Sequence, residues 1–204
     1  MKRSLPFGLW TFIIFSGCAA IQVANEVQLG RHALQTDQPQ LAVRYLRNAA
    51  EMDPSYKTSY SIRESVWTYL GRAYYEAGNF PEARRALEKA LSDNKDDSLA
   101  RLYLGLTLLR TGHQPEGRLE TDDGLRGINN LLNHLASSPS NGIYWDPTRQ
   151  IRSDIQRALS ANVMLESSEL IPMAEQVGSK VDEEIDNVRR DEAQDKYERG
   201  AGDM

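Results

Sequence analysis

ESVWTYLGRAYYEAGNFPEARRALEKALSDNKDD, residues 64–97, carries two helical periods separated by a break. Trp67, Leu70 and Tyr74 fall three and four residues apart, on one face of a helix. Gly78-Asn79-Phe80-Pro81 then interrupts the pattern. Proline is tolerated in the first turn of a helix and not in its interior, so a turn and a new helix start belong here. Ala83, Leu87 and Ala90 resume the period on the second helix. The stretch therefore reads as a helical hairpin. Gly71 and Ala83 let its two helices approach closely, while Trp67, Leu70, Tyr74 and Leu87 fill the space between them.

The same frame extends in both directions. Upstream, residues 23–56 place Leu29-Gly30, Ala42, Leu46, Ala49 and Pro54 at equivalent positions, with Glu26 where the middle copy has an aromatic residue. Downstream, from residue 98, Leu104-Gly105, Leu108 and Gly112 match. The second helix of this third copy matches only past a ten-residue insertion around Leu119–Gly124, after which Gly127, Leu131 and Pro139 return to the frame. The stretch from Lys57 to Arg63 separates the first two copies. A period of about 34 residues marks a solenoid, whose units bury their apolar faces only by stacking. These residues resemble the tetratricopeptide repeat (TPR) family over 23–139. The resemblance implies an all-α, TPR-type superhelix of about three helical hairpins (23–56, 64–97 and 98–139), closed by a capping helix.

Two further helices are expected. Asp146 reads as an N-cap and Pro147 as the first helical residue, followed by a stripe of Ile151, Ile155, Leu159 and Val163. Residues 140–166 resemble the capping helix that seals a last TPR. Residues 167–204 hold an extended acidic helix from about 168 to 198, striped by Leu170, Ala174, Val177, Val181, Ile185 and Val188. Gly200 to Met204 are expected to be a disordered tail.

The N-terminus has a different character. Lys2 and Arg3 precede an uncharged, largely apolar run from Leu5 to Phe15. A membrane span takes about 20 apolar residues, so this run has the length of a signal-peptide core instead. It ends in Phe15-Ser16-Gly17-Cys18, and Cys18 is the single cysteine of the chain. Ser-Gly-Cys after a short apolar run resembles the lipobox of bacterial lipoproteins, with Phe15 in place of the usual leucine. The resemblance implies a signal peptide at 1–17, lipidation of Cys18 by diacylglycerol and palmitate-type acyl chains, and a lipidated linker at 18–22. Ala19 is not the aspartate that retains such proteins at the inner membrane, which leans the expected location to the periplasmic face of the outer membrane.

The chain has 204 residues and a net charge of −5, with its basic residues scattered. A nucleic-acid binder needs a basic stripe to neutralise phosphates, so that class is excluded. His32, His113 and His134 sit in separate repeats without a nucleophile or carboxylate motif. Asp93–Asp97 lacks the glycine and the closing glutamate of a calcium loop. No catalytic residue, metal or cofactor is therefore expected. In the TPR family the first helix of each repeat lines a concave groove. Carried over, the partner-binding residues are Arg31, Thr68, Arg72, Tyr75, Glu76, Leu102, Leu106 and Leu109, with Arg72 and Tyr75 open to solvent.

The third copy has leucines nearly all round its first helix, and such a helix has to be covered. The capping helix, a partner peptide and the acidic C-terminal helix are the three candidates. The expected function is a membrane-anchored scaffold for another envelope protein or peptide. The alternative is a structural protein that self-associates through a short C-terminal coiled coil.

Overall fold

The computed structural model describes residues 12–59, 62–138 and 142–202, with side chains described from Ala20 to Gln194 and at Tyr197. Most of the expected signal peptide, the Cys18 side chain, Pro139 and the last two residues lie outside this description. Among the described residues there are eight α-helices and no strand: α1 (Phe12–Gln35), α2 (Pro39–Met52), α3 (Val66–Glu76), α4 (Phe80–Asp93), α5 (Ser98–Arg110), α6 (Gln114–Ala136), α7 (Gln150–Met164) and α8 (Ser167–Gly202). The architecture is the expected all-α, TPR-type helical repeat. α1/α2, α3/α4 and α5/α6 are hairpins, each packed on the next.

Equivalent residues make equivalent turns. The chain reverses at Asp37, Gly78 and Gly112, all with positive φ (55°, 76° and 85°). In each turn the following residue donates back to the preceding helix: Gln38 N–H to Ala33 O at 2.8 Å, Asn79 N–H to Tyr74 O at 2.8 Å, His113 N–H to Leu108 O at 2.9 Å. These bonds satisfy carbonyls that the helix end would otherwise leave open. A proline then stands in the first turn of α2, α4 and α6.

Equivalent residues also set the helix crossings. A Cβ added to Gly30 would lie 2.5 Å from Leu46 Cγ, one on Gly71 2.5 Å from Leu87 Cγ, and one on Gly105 2.4 Å from Thr121 N. The spacing of each pair is identical, so the third repeat is in register with the others. This corrects the expected insertion. α6 runs unbroken through Leu119–Gly124, with Gly117 packed on Leu109 and Gly124 on Leu102. What looked like inserted sequence is a frame occupied by Gly117, Thr121 and Gly124 where the other repeats carry Ala and Leu. The extra residues lengthen the C-terminal end of α6, where Ile128 and Leu132 are buried.

Residues 57–59 and 62–65 form a strap. Lys57 and Ser65 form an isolated antiparallel bridge, and Thr58 N–H donates to Glu64 O at 2.9 Å. The strap carries Ile62 and Glu64 inward, and both are buried.

α7 begins later than expected, at Gln150, and Asp146 is not its N-cap residue. Asp146 has φ 46°, yet its carboxylate accepts from the N–H groups of Ile151 (3.0 Å) and Arg152 (3.1 Å), so it still serves the helix start. Val163, the last residue of the expected stripe, is 80% exposed, while Ile151 and Ile155 are buried. α8 lies antiparallel to α7, with Lys180 Nζ on Asp154 (2.5 Å) and Glu184 accepting from Asp146 N–H (2.5 Å). Its helical backbone continues through Gly202, across the first residues of the expected disordered tail. Residues 18–22 continue α1 and do not form a separate linker.

Candidate functional site: a concave face occupied by α8

α8 has 36 residues, roughly 54 Å of helix at 1.5 Å per residue. Its start is stapled by Arg118 of α6, whose guanidinium donates to the Ser167 hydroxyl (3.3 Å) and, at the end of α7, to the carbonyls of Asn162 (2.5 Å) and Leu165 (2.8 Å). From there it runs over the concave face, crossing the first helices of the third, second and first repeats in turn. Leu170, Ala174, Val177, Val181, Ile185 and Val188 are all buried, in one cluster with Ile62, Trp145, Ile151, Ile155 and the α5 leucines. Each large member of such a stripe contributes on the order of 1.5–3 kcal/mol. The stripe predicted for a coiled coil is thus spent inside the same chain.

This settles which element covers α5. Gly178 of α8 sits where an added Cβ would be 2.6 Å from the Tyr103 hydroxyl, and α8 packs along α5 while α7 packs on α6 and α8. Leu102 and Leu109 also face the glycines of α6, and Leu102, Leu106 and Leu109 are buried.

The face of α8 beside the stripe is acidic and meets one arginine from each repeat. Arg31 donates to Asp182 Oδ1 and Asp186 Oδ1, both at 2.9 Å. Arg72 lies 3.3 Å from Asp182 Oδ2 and donates to Glu76 at 2.7 Å. Arg110 donates to Glu175 at 2.9 Å, which also accepts from the Tyr75 hydroxyl at 2.5 Å. Gln35 donates to Asp186 at 2.6 Å. The rings of Tyr69 and Tyr103 lie under Arg31 and Arg72, each 5.4 Å from the guanidinium carbon. Arg31 and Asp182 are each only 2% exposed. An ion pair at that depth has lost its hydration, so each partner depends on the other.

The expected partner-binding set therefore divides. Arg31, Arg72, Tyr75 and Glu76 do share the concave face, as the repeat frame requires. Arg72 and Tyr75 are buried rather than open to solvent, because α8 lies on them. Thr68 belongs to a different place: it donates to Asp97 at 2.7 Å and contacts Ser65, joining the second repeat to the third. Helix-lining positions were legible from the repeat frame. That a segment far along the chain would fill them was not, because a striped acidic helix reads the same whether its partner lies inside or outside the molecule.

The group missed from sequence is Glu64. Burial pushes its carboxyl up to about 8, reinforced by the charge of Asp182, with Tyr69, Asp97 and Arg31 as its other neighbours. Burial also raises Glu76 and Asp97. At Asp186 burial acts the same way but is outweighed by the Gln35 hydrogen bond and the Arg31 charge, which hold it below the usual carboxylate range.

An open cleft of about 540 Å³ remains between α8 and the repeat turns, lined among others by Asp37, Glu76, Phe80, Arg110 and Glu175. The described residues include no helix long and apolar enough to cross a membrane.

Residues 70–126 match the tetratricopeptide repeat family. The matched segment runs from the first helix of the middle hairpin into α6, through the two helix crossings at Gly71 and Gly105. The match covers these residues alone, and a TPR repeat there supports binding of a protein partner. Among curated proteins, no sequence matches it.

Proposed function

We propose that the protein is a membrane-anchored TPR scaffold of the bacterial cell envelope, held by a lipid on Cys18 at the periplasmic face of the outer membrane, and that it binds another envelope protein and catalyses nothing. The observation that carries the binding role is the stack of three repeats with one arginine per repeat on its concave face and a cleft left open beside α8. The anchor rests on Phe15-Ser-Gly-Cys18 and the apolar run before it. Two acyl chains or more hold a protein almost permanently at a bilayer. Tethering raises the local concentration of a partner's site, so modest contacts suffice.

Two measurements test this. Clickable fatty acid should label the wild type and leave Cys18→Ala unlabelled; equal label on both sinks the anchor. A photo-crosslinking residue placed at Glu76, in the cleft, should capture a defined envelope protein in intact cells, and one at the exposed Arg84 of α4 should not. The same adduct from both positions, or none from Glu76, contradicts a binding role for this face.

A further inference from the structure

Exposed large apolar side chains gather at the corner where α7 turns into α8. Val163 and Met164 are each 80% exposed, and Leu165 follows them. Leu119 of α6, also exposed, stands next to Arg118, whose carbonyl accepts from Asn162 at 3.1 Å. Single apolar residues on a surface need no explanation, but a group of four marks a contact. Beside Met164 an open groove of about 460 Å³ runs along the outer side of α7, lined by Ser153, Arg157, Ser160 and Ala161 and by Met173 of α8. Terminal units of a repeat stack ordinarily turn a polar face outward. This one keeps an apolar groove with small side chains at its middle, where another helix can approach closely.

The two ends of the groove differ in charge. At one end Arg157 and Lys180 both pair with a single buried carboxylate, Asp154, which leaves surplus positive charge. At the other, Glu166 and Glu169 are exposed, and among the described residues neither is in an ion pair. Glu169 stands one turn before Met173 on α8. A surface positive at one end and negative at the other complements itself when turned end for end, which is what a two-fold axis does. A bilayer, negative throughout, would attract one end and repel the other.

We propose that two copies of this chain form an isologous dimer through this end face, with α7 antiparallel to α7 of the second copy and crossing it near Ser160. Arg157 of each copy then meets the acidic end of the other, and Met164 of each enters the other's groove. The inference goes beyond the scaffold reading and does not depend on it. Under that reading, a dimer presents two clefts and two anchors, so binding becomes bivalent.

Sedimentation equilibrium of the purified full chain in density-matched detergent tests this. The wild type should show twice the chain mass. Arg157→Glu or Glu169→Arg alone sets like charges against each other and should raise the dissociation constant about tenfold or more. Mixed in equal amounts, the two variants should pair again, because each reversed charge meets its complement. A monomeric wild type overturns the proposal. A dimer that neither variant weakens is formed elsewhere and overturns it too, as do variants that stay apart on mixing. Should a variant fail to fold, a photo-crosslinking residue at Ser160 decides: an adduct of twice the chain mass supports the dimer, and its absence, or an adduct with a different protein alone, ends it.

Discussion

Single residues carry two departures from the repeat pattern, and each has an energetic consequence. Asp37 occupies the turn position that Gly78 and Gly112 hold in the other repeats, with φ 55°. A left-handed backbone costs an L-residue roughly 1–2 kcal/mol, less for aspartate, and glycine gives part of the gain back as unfolded-state entropy. Asp37→Gly is expected to stabilise the chain by about 0.5–1 kcal/mol, measured as a raised denaturant midpoint with unchanged slope. Glu64 is the other departure. Its folded pKa of about 8 lies above the ordinary 4.5, so the folded state retains a proton that the unfolded chain gives up. Stability should fall as pH rises between those values. Asp186 has the opposite sign: depressed in the fold, it contributes stability that is lost as pH drops below about 4. Urea denaturation should find the wild type most stable near pH 5 and weaker by pH 9, with Glu64→Gln removing most of that decline. A flat profile in the wild type would show that Glu64 ionises freely in the fold.

At the scale of helices, the crossings explain both what the sequence revealed and what it hid. The middle repeat was legible because Gly71 faces Leu87, the size pair that the family pattern describes. The third repeat uses the same geometry with smaller partners, Gly105 on Thr121 and Gly124 on Leu102, so a pattern that expects alanine and leucine skips ahead and invents an insertion. Trp67, expected to fill the space between the two helices of the middle hairpin, is only half-buried, and its indole N–H donates to Pro54 O at 2.7 Å across the junction with the first repeat. The crossings differ in how they can yield. A methyl on Gly71 meets mainly the Leu87 side chain, which can shift, whereas one on Gly105 meets the backbone of Thr121 and Glu120, which cannot shift without moving α6. Gly105→Ala should therefore cost about 2–3 kcal/mol and Gly71→Ala about half that, within the range for overpacking. Thermal or chemical denaturation ranks the two, and the reverse order would mean that α6 adapts more readily than a leucine side chain.

Over the whole molecule, α8 changes the physics expected of a repeat stack. In a simple solenoid each repeat touches only its neighbours, and the ends can fray one unit at a time. Here one helix contacts Arg110, Tyr75, Arg72 and Arg31 in succession, adding direct ties from the third repeat to the first. Cooperativity across the stack should therefore depend on the carboxylates of α8 and not only on the crossings between neighbouring hairpins. Asp182→Ala with Asp186→Ala removes the two carboxylates to which buried Arg31 donates, and breaking a buried ion pair from one side typically costs about 3–5 kcal/mol. That cost should not be shared evenly. The apolar stripe still fixes α8 to α5 and α7, so the third repeat keeps its cover while the first loses its tie. Hydrogen exchange on the double variant should show α1 and α2 opening about tenfold faster or more, with α5, α6 and α7 close to wild type. If protection instead falls by the same factor in every helix, the stack unfolds as one unit whatever α8 holds. Its acidic face would then stabilise the fold without linking one end to the other.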